Sequence, residues 1–191
     1  YGPCACSPVG KVKKVSRPFK KDAQGNDETK YWTEYFYDEL GRTVKVSQPN
    51  SAGSTVYVYL NNPVTVTDPA GKWKKMTTDG FGNLVTVEEP NPAGGTWTTS
   101  YVYNHFNQLT TVSMPRPTGT QTRTFIYNAA GQMTSKTEPE TGTTTYGYSG
   151  SLLAWKRDAK SQKTAFEYDV YRRVTVIRRY NQYDVEEAAQ R

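Results

Sequence analysis

The chain is predicted to be all-β, built of tandem β-hairpin repeats that form a continuous, strongly curved antiparallel sheet. Three observations predict this. A phrase of the form aromatic–x–aromatic–Asp/Asn recurs, as EYFYDELGRTVKV at 34–46, SYVYNHFNQLTTV at 100–112, TFIYNAAGQMTSK at 124–136 and AFEYDVYRRVTVI at 165–177. Self-similarity at a short period marks a repeat array. Each phrase runs into a stretch rich in Val, Thr and Ile, and no segment sustains the 3.6-residue apolar period of a helix. A compact two-sheet sandwich with a separate core is the alternative architecture.

With the Asp-like position as origin, the copies fall at Asp38, Leu60, Asp79, Asn104, Asn128, Ser149 and Asp169, 19 to 25 residues apart. The two preceding alternate positions are aromatic pairs in six copies: Tyr35/Tyr37, Tyr57/Tyr59, Tyr101/Tyr103, Phe125/Tyr127, Tyr146/Tyr148 and Phe166/Tyr168. Met76/Thr78 is the exception. Residues two apart on a strand share a face, so each copy offers two rings to one side.

The turn comes next. Asp or Asn at the origin and Gly41, Gly82, Asn107 or Gly131 three residues on describe a type I turn closed by a residue at positive φ. Turns are therefore expected at 38–41, 79–82, 104–107 and 128–131. Leu60, leading to Pro63, and the copies carrying Leu152 and Arg172 at the fourth position call for differently built turns. The returning strand follows, as in TVKVS or LTTVSM. Pro49, Pro69, Pro90, Pro115 and Pro139 then end it, and Gly53, Gly71, Gly94, Gly119 and Gly142 reverse the chain. Each unit reads strand, tight turn, strand, wider turn. A lone hairpin is marginal in water, so the units must lie side by side, about a dozen strands in all.

Residues 31–180 hold about seven such repeats, preceded by a lead-in (1–30) with a Cys pair and followed by a tail (181–191) that is a truncated next repeat or a short helix around VEEAAQ. The 191 residues are 35% hydrophobic and 22% charged. Mean hydropathy is −0.79. Fifteen Tyr and four Trp argue against disorder and make the half-buried surface largely aromatic. No run is long and apolar enough to span a bilayer, and no signal-peptide core opens the chain. Both ends lie in repeat-like material, so a segment of a longer chain is expected. A net charge of +6 invites a nucleic-acid reading, but the Lys and Arg are scattered in short clusters that suit a solvated face and guarded sheet edges, and nucleic acid is not expected as a partner.

The spelling resembles the YD repeats of the RHS (rearrangement hotspot) family, related to insecticidal toxin complex C components, wall-associated proteins and teneurins. Tyr35-Phe-Tyr-Asp-Glu-Leu-Gly-Arg42 matches the family phrase almost letter for letter. The resemblance implies that the sheet is a segment of a β-shell, in the toxins one enclosing a C-terminal domain. It also implies a secreted or cell-surface protein whose partners are the remainder of its own polypeptide and an enclosed toxin domain. The self-cleaving core of that family is not recognisable; Asp68-Pro69-Ala70-Gly71 sits at an ordinary repeat turn.

The chemistry-bearing residues read mostly as structure. His105, the one His, lies in a turn with no nucleophile motif beside it. Glu88, Glu89, Glu138 and Glu140 flank Pro turns, where a solvated loop explains them; an acid pair for glycoside hydrolysis is defined by separation in space, not by sequence. Cys4 and Cys6 would close a very small, strained ring, and a zinc site needs more ligands than they offer. They read as a free pair, with redox pairing or outside partners left open. No catalysis, metal or cofactor is expected. Trp32, Trp73, Trp97 and Trp155 are candidate carbohydrate-binding platforms, with glycans as partners, against the plainer reading that they cover strand neighbours. Open sheet edges and an uncovered aromatic face lead to an expectation of self-association.

Overall fold

The computed structural model describes the backbone of residues 2–4, 7–27 and 30–190, with side chains from residue 10 onward; the expectations about the Cys4 and Cys6 thiols lie outside the described residues. The described chain is strand and turn, with a single 3₁₀ turn at Pro49–Ser51. β1 (Gly2–Cys4) and β2 (Ser7–Lys11) form a two-stranded antiparallel sheet. The other sixteen strands form one sheet whose spatial order is the chain order, β3 to β18. The fold class read from the sequence is therefore the one observed, with more strands than the dozen expected, because the lead-in and tail form strands as well.

Two compact units divide the chain, 1–98 and 99–191. The first carries β3 (Lys14–Ser16), β4 (Trp32–Tyr37), β5 (Thr43–Ser47), β6 (Ser54–Tyr59), β7 (Val64–Thr67), β8 (Trp73–Thr78) and β9 (Leu84–Pro90). β10 (Thr96–Tyr103) crosses the boundary. The second unit continues with β11 (Leu109–Arg116), β12 (Gly119–Tyr127), β13 (Met133–Glu138), β14 (Gly142–Ser149), β15 (Leu152–Arg157), β16 (Lys163–Tyr168), β17 (Val174–Tyr180) and β18 (Glu186–Gln190). The tail thus pairs as a strand, Arg179 opposite Ala188, and not as a helix.

Register keeps the rings on one side. Tyr57 stands opposite Val66, and Val66 opposite Lys74; Phe125 stands opposite Lys136, and Tyr146 opposite Lys156. All twelve aromatic-pair side chains are half-buried, while the residues between them, Phe36, Val58, Val102, Ile126 and Glu167, are exposed. Val112, 8% exposed, and Pro49 are the two buried residues among the described ones. Within each unit the rings are covered by cross-strand neighbours such as Val66, Lys136 and Lys156, and by the Arg42 guanidinium over Tyr59, rather than by a buried core.

The turns explain the spelling at the origin. In one loop design, the origin N–H donates to the carbonyl four residues on and its carbonyl accepts from the residue three on, as in Asp38 N–H to Arg42 O (3.0 Å) and Gly41 N–H to Asp38 O (2.9 Å). The side-chain Oδ1 accepts two further backbone N–H groups, from Leu40 (3.0 Å) and Arg42 (2.8 Å). Asp79, Asn104, Asn128 and Asp169 repeat this at their hairpins. Arg172 corrects one expectation: its turn is not built differently, and Arg172 itself takes the left-handed position at φ 64°. The loops after Leu60 and Ser149 do differ, being two-residue turns through Asn61 (φ 58°) and Gly150 (φ 58°).

The same Asp loop also closes connections between hairpins, including the one at Asp68, where a Pro–Gly turn was expected. Asp68 Oδ1 accepts from Ala70 and Lys72 (2.9 and 2.8 Å), and Asp158 Oδ1 from Lys160 and Gln162 (both 2.9 Å). Asn91 and Asn181 are further examples.

Candidate functional site

The element that repeats along the chain is the contact between one hairpin and the next. The second aromatic of each pair is Tyr in all six copies, whereas the first varies between Tyr and Phe. The hydroxyl explains the difference. Tyr59 OH donates to Thr43 O (2.9 Å), Tyr127 OH to Leu109 O (2.9 Å), Tyr148 OH to Met133 O (2.8 Å) and Tyr168 OH to Leu153 O (2.9 Å). Thr43, Leu109 and Met133 open the returning strand of the preceding hairpin and Leu153 is second in its strand, all where bulging disturbs the ladder. Tyr37 OH reaches Val12 O of the lead-in in the same way (2.7 Å).

The residue four past the origin makes a second link. Arg42 donates from Nε to Asp38 Oδ2 (2.7 Å) and lays its guanidinium 4.3 Å from the centre of the Tyr59 ring in the next hairpin. Arg173 repeats the contact to Asp169 (2.7 Å). Where the origin is Asn, the partner is Gln. Asn104 Nδ2 donates to Gln108 Oε1 (2.8 Å), and Gln108 Nε2 continues to Gly131 O of the next turn (2.9 Å). Asn128, Gln132 and Gly150 O form the same chain (2.8 and 2.7 Å). The Asp/Arg and Asn/Gln pairing was visible as a co-occurrence in the sequence, and reading the origin alone misses it.

Electrostatics follow from these bonds. Partial desolvation pushes the Asp38 carboxyl up, but the backbone N–H and guanidinium of Arg42 outweigh it and hold the group below its ordinary 3.8. The Asn83 side chain, ahead of the loop N–H groups, lowers Asp79, and the Arg173 N–H leads in lowering Asp169.

Of the four Trp, the first unit brings two together. Trp73 and Trp97 line a groove of about 640 Å³ with Val66, Met76, Pro90 and Pro92. Asp68, Lys72 and a Lys74–Glu89 ion pair (2.8 Å) supply its polar rim. Trp32 is not in the groove and carries the Lys14 ammonium 4.5 Å from its ring centre. Trp155 lies flat over the backbone of Gly147, where any Cβ would fall inside the indole. A groove of this size with convergent polar groups suits a small ligand.

The acidic residues near the Pro turns are ion-paired rather than simply solvated: Glu88 with Lys75 (2.9 Å), Glu138 with Lys136 (2.8 Å) and Glu140 with Arg123 (2.6 Å). His105 is exposed at its turn. Among the described residues no group of three or more His, Cys, Asp or Glu is placed to hold a metal ion, and no helix is long and apolar enough to cross a membrane.

Residues 19–149 match the family model described as Teneurin YD-shell. No curated protein sequence matches the chain. Among solved structures, the TcdB2-TccC3-TEV complex superposes with a TM-score of 0.67 at 12% identity, over 92% of this chain and 11% of that one. TcdB2-TccC3 without its hypervariable C-terminal region gives 0.66 at 11% identity, over 93% and 11%. The Tc holotoxin pore of Photorhabdus luminescens gives 0.64 at 13% identity, over 83% and 9%. The chain thus spans about a tenth of the solved chains whose fold it shares.

Proposed function

We propose that this chain, which belongs to the YD-shell family, is a non-catalytic stretch of wall in a larger secreted or surface protein, enclosing or presenting another domain of the same polypeptide. The observation that carries the reading is that, among the described residues, neither unit closes around a buried core of its own. Rings on one face of the sheet stay half-buried, and hydrophobic cover comes from hairpin following hairpin. Such a sheet lengthens without limit and leaves its aromatic face to whatever it surrounds. The superposition on toxin-complex shells supports the same reading of the fold.

The test uses the complete polypeptide. Protease should spare the domain inside while the wall is intact, and should cut it faster once Tyr127, Tyr148 and Tyr168 are all changed to Phe. Equal cleavage with and without those changes contradicts enclosure.

A second reading rests on the Trp73–Trp97 groove, whose paired indoles and charged rim suit a neutral sugar. Glycan-array binding lost in both Trp73→Ala and Trp97→Ala would support it, and binding indifferent to both would refute it.

A further inference from the structure

The second unit holds a polar groove of about 530 Å³ with a different character. Its floor is one row across four strands, in which Tyr146 faces Lys156, Lys156 faces Thr164 and Thr164 faces Arg179. Residues directly opposite on antiparallel strands lie on the same face. Adjacent strands are roughly 4.8 Å apart, so the backbones of Lys156 and Arg179 stand about 10 Å apart with Thr164 between them. Lys136 and Lys163 complete the basic lining.

The cations differ in their partners. Lys136 is paired with Glu138 at 2.8 Å, and Lys163 lies 3.7 Å from Asp184 and 4.6 Å from the centre of the Tyr180 ring. Two carboxylates line the groove, Asp158 and Glu187. Asp158 spends Oδ1 on its own loop. Neither it nor any other carboxylate of the described residues forms an ion pair with Lys156 or Arg179, whereas Arg178, on the opposite face, is paired with both Glu167 and Glu186. Lys156 and Arg179 are thus two exposed like charges in one row without an ion-pair partner, and an anion seated between them is attracted by both.

We infer that the Lys156–Thr164–Arg179 row binds a tetrahedral oxyanion, a sulfate or phosphate ester carried on a sugar-sized molecule. The guanidinium fork matches two oxygens of such a group, the ammonium supplies a point charge from the other side, and the Thr164 hydroxyl lies below. The Tyr146 ring at the end of the row offers a wall for the ring that carries the ester. This site is independent of the shell reading and of the Trp groove.

The experiment measures thermal stability of the 191-residue chain against increasing glucose 6-sulfate, glucose 6-phosphate and glucose, with sodium chloride matched for ionic strength. At least one ester should raise the melting temperature saturably, and glucose and salt should not; which ester acts identifies the group. Lys156→Gln and Arg179→Gln should each weaken the effect about tenfold or more. Arg179→Lys should retain part of it, and Lys20→Gln, at an exposed position that does not line the groove, all of it. Without ligand the two Gln variants should melt no lower than the parent, since each removes a repulsion. An ester effect no larger than that of salt, or one unchanged in Lys156→Gln and Arg179→Gln, would overturn the site.

Discussion

Asp38, Asp79 and Asp169 each spend one carboxylate oxygen on two loop N–H groups, and Asn104 and Asn128 do the same work with an amide oxygen. The difference is titration. The three folded carboxyls lie below their ordinary 3.8. A depressed folded pKa contributes stability that is fully present above the unfolded value and is lost as pH falls through the folded value. Melting temperature should therefore drop as the solution is acidified below about pH 4. The triple variant Asp38→Asn, Asp79→Asn, Asp169→Asn should show a flatter acid limb; an unchanged slope would mean the loop carboxylates are not its source. The Tyr hydroxyls act at the same scale. Tyr148→Phe removes a neutral hydrogen bond to Met133 O and should cost about 1 kcal/mol in urea unfolding. Tyr101, at a first-aromatic position with no hydroxyl bond of this kind, should tolerate Phe with little change.

Among elements, the hairpin loops set what each position tolerates. The residue three past the origin sits at positive φ, 73° at Gly41 and 78° at Gly131, and Arg172 holds the same position at 64°. A side chain there costs roughly 1–2 kcal/mol in the folded state, part of which glycine returns as entropy of the unfolded chain. Arg172→Gly should raise unfolding free energy by up to about 1 kcal/mol. Strand β14 shows the opposite case. Glycine inside a strand is normally a weakness, but Gly147 is the floor on which Trp155 rests. Gly147→Ala should destabilise by about 1–3 kcal/mol and shift Trp155 emission to the red as the indole is lifted into water.

Over the whole molecule, hairpin periodicity was legible because its determinants are local: a two-residue side-chain period and a turn needing Asp and a residue at positive φ. Tyr35/Tyr37 beside Asp38 and Gly41 contain all of that. What was not legible depends on register between hairpins. Nothing within residues 146–148 says that the Tyr148 hydroxyl reaches Met133 O, that Gly147 receives Trp155, or that Trp73 and Trp97, 24 residues apart in the chain, line one groove. The loop at Asp68 was hidden for another reason: Pro69 and Gly71 already account for a chain reversal, while the Asp before them supplies the bonds.

With almost no buried core in either unit, stability passes from each hairpin to its neighbours. Repeat arrays of that kind respond to a perturbation locally. Amide hydrogen exchange of Tyr148→Phe against the parent tests it most directly. Exchange should be faster in β13, β14 and β15, with β6 and β7 unchanged. Equal acceleration in every strand would contradict it, because that is the response of a single cooperative core.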